Sequence, residues 1–98
     1  MRLTELNPRG IGHKGYLGRV GITFDCPCCL NTERATRLAI YFIKDVVGEH
    51  GEAIHINDIA WNVFNPQDYE TITVSPSIDA SGEPHRHWHG WIRNGNIE

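Results

Sequence analysis

The chain has no long hydrophobic run, no spread of cysteines and no excess of positive charge, and each shortage closes off a class of reading. No apolar stretch approaches the roughly 18 residues that a bilayer-spanning helix requires, so no membrane helix is expected. Residues Met1 to Gly10 carry no apolar stretch behind Arg2, unlike a secretory signal peptide, and a cytoplasmic location is expected. Nine Lys and Arg against twelve Asp and Glu leave a formal charge of −3. Duplex affinity comes largely from cations that neutralise phosphates, so this balance argues against a nucleic-acid binder that works through bulk charge. The three cysteines all fall between Cys26 and Cys29. An odd number in so tight a cluster cannot staple distant segments. In a reducing compartment such a cluster more often holds metal.

What is present suits one small domain. Ninety-eight residues, 40% of them hydrophobic, permit a single core, although a chain of this size buries only about 60–65% of the surface its unfolded form exposes. A metal or a partner would help it. Ten glycines and five prolines favour turns over long helices. Residues 1–18, with Asn7-Pro8-Arg9-Gly10 and then Gly12, Gly15 and Gly18, read as a flexible glycine-rich arm, and 19–98 as a single zinc-binding β-rich domain.

The hydrophobic pattern is mostly that of strands. Arg19 to Asp25 alternates, with Val20, Ile22 and Phe24 on one face, and leads into the cysteines. Trp61 to Phe64 is a short strand closed by the turn Asn65-Pro66-Gln67-Asp68. Thr71 to Ser75 alternates again, and Pro76 is expected to end that ladder or set it on a sheet edge. A last strand runs from His87 to Arg93 into Asn94-Gly95, the strongest turn signal in the chain. The segment 32–47 admits two readings. Ala35, Leu38, Ala39, Phe42, Ile43 and Val46 follow a helical period, whereas Leu38 to Ile43 is an apolar run rich in β-branched and aromatic residues, suited to a buried strand. Periodicity alone slightly favours the helix.

Two clusters have the chemistry of a metal site. Zinc prefers a tetrahedron of thiolate sulfur and imidazole nitrogen. Cys26 and Cys29 have the C-x₂-C spacing that brings two sulfurs to one ion, and Cys26 with Cys28 gives a tighter C-x-C alternative, stiffened by Pro27. His85, His87 and His89 alternate with other residues. On a strand His87 and His89 share a face about 6–7 Å apart, with His85 joining them if the strand starts early. Either cluster alone is also explained blandly, as small buried hydrophobes or a solvated strand end. Together they point to Zn²⁺ held by two of Cys26, Cys28 and Cys29 with His87 and His89. Trp61 and Trp88 read as core, and Glu70, Asp79 and Glu83 as surface carboxylates.

The stretch Tyr69 to Ile78, followed by His87 to Ile97, resembles a family of small uncharacterised phage and prophage proteins. Their shared elements correspond here to Cys26–Cys28 (Cys-Pro-Cys), Thr73–Ile78 (Thr-x-x-Pro-Ser-Ile) and Trp88–Gly95 (Trp-His-Gly-Phe/Trp-Ile-x-x-Gly). Some members are labelled ammonia monooxygenase, which needs copper in a membrane complex and has no counterpart in this sequence. The resemblance implies a compact, mainly β fold with a zinc site that includes Cys26, Cys28 and His89. Members often carry a cysteine shortly before the closing histidine, and His87 stands in for it here. The family pattern also implies a strand over Arg37 to Ile43, leaving a helix at 32–47, and so an α+β fold, as the alternative.

The expected function is that of a zinc-binding phage or prophage accessory protein that acts in the host cytoplasm by binding another macromolecule, expected to be a protein, with a host factor as one candidate. The alternatives are a zinc-dependent hydrolase-like enzyme, with water on an incompletely coordinated ion and a carboxylate as base, and a zinc-ribbon-like nucleic-acid binder using Arg34, Arg37, Arg86 and Arg93.

Overall fold

Strands account for nearly all the regular structure of this chain, whose computed structural model describes residues 1–13, 18–29, 36–80 and 88–98. Among the described residues, nine short strands form three antiparallel sheets. The first sheet contains β1 (Arg9–Ile11), β2 (Gly21–Asp25) and β3 (Arg37–Tyr41), with β2 in the middle. The second is a hairpin of β4 (Asp45–Val47) and β5 (Ala53–His55). The third runs in the order β6 (Asn62–Phe64), β7 (Thr73–Asp79), β8 (His89–Arg93) and β9 (Asn96–Ile97). Among the described residues no α-helix occurs, and the longest helical piece is the 3₁₀ turn Leu3–Leu6.

Cross-strand pairs explain why residues 37–41 form a strand and not a helix. Leu38 stands opposite Phe24 and Ile40 opposite Ile22, all four buried, while Arg37 and Ala39 between them are exposed. A helix would have put Ala39 inside with Leu38. In the strand its period-two partner is solvent. Val46, counted in the same helical stripe, is buried from the separate β4–β5 hairpin. The start of the helical reading, residues 32–35, lies outside the described residues.

The inward faces of the first and third sheets share one core. Ile22, Phe24, Leu38 and Ile40 from one meet Val74, Ile78 and Ile92 from the other, with Ile72 just ahead of β7. Leu3 and Leu6 are completely buried in that same cluster. The arm expected over 1–18 is therefore corrected over residues 1–13. Its 3₁₀ turn is a plug in the core, its backbone is tied by Leu3 N–H to Gly95 O at 2.8 Å, and β1 is a paired strand. Two apolar residues spaced i, i+3 on a 3₁₀ turn eclipse one another and enter the core together.

Strand β7 continues through Pro76, but the β6–β7 ladder stops at Ser75, opposite Asn62, so the proline follows the end of that ladder, as expected. Val74 pairs with Ile92 and Ile78 with Gly90, so a four-residue step on β7 faces a two-residue step on β8. This bulge absorbs the missing donor of Pro76, which follows a cis peptide bond. The Asn94-Gly95 turn forms as expected, both residues at positive φ of 48° and 74°. A Cβ on Gly95 would collide with the carbonyl oxygen of Glu70, so the backbone needs glycine there for space as well as for φ.

Candidate metal centre

The cysteines sit where β2 gives way to the loop leading to β3. Cys26 N–H donates to Thr36 O at 2.7 Å, which closes the neck of that loop one step beyond the last β2–β3 pair, Asp25 with Arg37. Pro27 to Cys29 then form a single 3₁₀ turn. Residues i and i+3 of such a turn lie on one side, and proline with its fixed φ is well suited to a first helical position. The result is a sulfur tripod. The Sγ atoms of Cys26, Cys28 and Cys29 all lie within 4.8 Å of one another, with Cys26 to Cys28 at 3.2 Å. Three thiolates on one tetrahedral zinc, each about 2.3 Å from it, stand roughly 3.8 Å apart, so small adjustments would seat one ion. The cluster could hold a metal ion. The choice between Cys28 and Cys29 dissolves, since the turn brings both to Cys26.

The electrostatics of the three sulfurs are uneven. Cys26 is buried, which by itself pushes its thiol up, but the backbone N–H of Trp88 and hydrogen bonds from Cys28 and Cys29 outweigh the burial and hold it below the usual thiol value. Cys28 is exposed on the surface. Partial loss of hydration, its hydrogen bonds to Cys26 and Cys29, and the repulsion of their sulfurs push it up to about 11. Cys26 therefore gives up its proton more readily than Cys28, which then donates to the resulting thiolate. A thiolate backed by a backbone donor is the state a soft cation binds.

Trp88 connects this turn to the other half of the molecule. Its backbone reaches Cys26, and its indole meets Phe24 edge to face with ring centroids 6.1 Å apart. Its carbonyl accepts from Ala80 N–H at 3.0 Å, closing the neck of the loop between β7 and β8. Gly90 makes room for this, since a Cβ there would lie 2.6 Å from the Trp88 indole nitrogen. Two loop necks, one cysteine-bearing and one leading to the histidines, thus abut at Cys26 and Trp88. Sequence reasoning treated Trp88 only as core. Its backbone donor role has no side-chain signature, though its place between His87 and His89 set it beside the histidine cluster.

His87, the residue immediately before Trp88, lies outside the described residues, as do His85, Glu83, Arg34 and Arg86. His89 opens β8 on the exposed face, with Nε2 3.2 Å from Ser77 Oγ, and is not part of the sulfur cluster. Gly90 and Ile92 occupy the buried face of β8, and Trp91 is half-buried on the side of His89. Arg37 pairs with Asp25 at 2.8 Å and Arg93 with Glu98 at 3.2 Å, so these two cations are answered locally. Among the described residues no helix is long and apolar enough to cross a membrane. No family model matches the chain, and comparison with curated proteins and with solved structures gives no match either.

Proposed function

We propose that this chain is a zinc-stabilised β-domain that acts by binding another macromolecule, a protein before a nucleic acid, as a phage accessory protein does. The observation that carries the metal reading is the convergence of three sulfurs within 4.8 Å on one turn, one of them held by the Trp88 backbone. Three thiolates need one more ligand for a tetrahedron. His87 supports that role because it is covalently next to Trp88, and His89 is the second candidate, able to serve if it turns from Ser77. A site filled by four protein ligands stabilises and does no chemistry on substrate. The binding role draws its support from the mild acidity and from the arginines paired on their own surface. The phage connection rests on the sequence motifs alone.

The test is metal analysis of purified protein with a thermal melt before and after chelation. One zinc per chain whose removal lowers the melt supports the reading. Metal-free protein with an undisturbed melt sinks it. His87→Ala and His89→Ala, compared for zinc affinity, identify the fourth ligand, and a tenfold or greater loss is expected in one of them only.

A further inference from the structure

We infer that Cys26 and Cys28 form an oxidisable dithiol at this centre, which hydroperoxides close into a disulfide with release of the ion. The inference rests on the zinc reading for the release and on the sulfur geometry alone for the disulfide. Cys28 is the exposed sulfur of the three, and Cys26, buried beneath it, is 3.2 Å away. A disulfide needs about 2.05 Å between sulfurs, so the pair must close by little more than an ångström within one turn. The pair Cys28–Cys29 is adjacent in sequence and would require a distorted peptide, which leaves Cys26 as the resolving partner.

The chemistry balances in two steps. The exposed Cys28 sulfur, held as a thiolate by the ion, attacks the peroxide. The O–O bond breaks as one oxygen passes to that sulfur, giving a sulfenic acid. The other leaves as hydroxide or alkoxide, which solvent protonates to water or, from an organic hydroperoxide, to the alcohol. The Cys26 sulfur then attacks the Cys28 sulfur, the S–O bond breaks, and a second water leaves with the remaining thiol proton. Two sulfurs lose two electrons in all, and the hydroperoxide gains them. Where the sulfurs begin as metal-bound thiolates, solvent supplies the protons. Two of the three tripod sulfurs are consumed, and a single thiolate with imidazole cannot retain the ion. A disulfide across so short a loop is strained and readily reduced, as befits a reversible device.

The experiment uses the full chain loaded with zinc and treated with stoichiometric hydrogen peroxide. Released zinc is followed with a chromogenic chelator, and the protein is digested and mapped by mass. The expected result is a loss of about two mass units in the peptide that holds all three cysteines, with fragmentation joining Cys26 to Cys28 and zinc released in step. Reductant reverses both. The bond survives in Cys29→Ser and is lost in Cys28→Ser. The wild-type map decides the matter even if a variant misfolds. Over-oxidation of Cys28 without a disulfide, a Cys28–Cys29 bond, or intermolecular pairing overturns the inference. If the protein binds no zinc but still forms the Cys26–Cys28 bond, the metal reading has failed and the dithiol stands.

Discussion

Cys26 and Trp88, remote in sequence, meet through the hydrogen bond from the Trp88 backbone N–H to the Cys26 sulfur. Each closes the neck of a loop, Cys26 with Thr36 and Trp88 with Ala80. One contact thus sets the cysteine turn against the strand that the histidines lead into. An ion bridging the two sides would lock a junction that the fold already makes.

Removal of the ion is expected to be costly. For Cys26→Ser, or for the wild type in excess chelator, the loss should be about 3 kcal/mol or more. At this chain length that lowers the melting temperature by roughly 12 °C or more. Calorimetry of matched loaded and stripped samples checks it. An unchanged melt would mean that the turn is held by packing alone.

His55 should titrate high and stabilise the β4–β5 hairpin only at the acidic side. Its Nδ1 meets Asp45 at 3.0 Å and its Nε2 meets Asp58 at 2.8 Å, both on the open surface. Hydrogen bonds donated by its ring nitrogens to Asp45 first and Asp58 second raise its pKa above the ordinary imidazole value. The folded state therefore binds the proton more tightly than the unfolded state. The stabilisation is complete below about pH 6.5 and is lost as the pH rises through the raised folded value. An NMR titration should show the elevation, and Asp45→Asn should remove more of it than Asp58→Asn. Added salt should shrink it.

Gly95→Ala should destabilise by about 1–3 kcal/mol. The added methyl meets the Glu70 carbonyl at a positive φ, and the backbone of Gly95 also accepts from Leu3 and donates to Ile72. Chemical denaturation with an unchanged m-value is the measurement. A neutral result would mean that the turn relaxes without loss.

Leu6→Ala should cost about 2–5 kcal/mol, the usual range for a fully buried leucine. Deletion of residues 1–6 should cost more, because it also removes Leu3. A tolerated deletion would restore the reading of this segment as an appendage.

The parts of the fold legible in the sequence were those in which side-chain alternation and turn chemistry agree. The inward set Val20, Ile22 and Phe24, the Asn65–Asp68 turn and the Asn94-Gly95 reversal are of this kind. Residues 37–41 were ambiguous because Leu38, Ala39, Phe42 and Ile43 fit two periods at once, and only the cross-strand partners Ile22 and Phe24 decide between them. The hairpin of β4 and β5 was missed, since three-residue strands around Gly48 and Gly51 carry too little pattern to stand out. The bulge around Pro76 was not legible, because a bulge is a property of two strands and is invisible from one. At the candidate centre the cysteine cluster was legible from residue type and spacing, while the donor from Trp88 was not, because a backbone N–H belongs to every residue but proline.

The three sulfurs all come from one turn of four consecutive residues, Cys26 to Cys29. A soft cation bound by so local a claw would still find all three sulfurs within four residues in the denatured chain. Native stability would then gain only the difference between folded and unfolded affinities, which is a smaller sum than the affinity itself. Loading would also be able to precede the arrival of β8, because the three sulfurs precede that strand in the sequence.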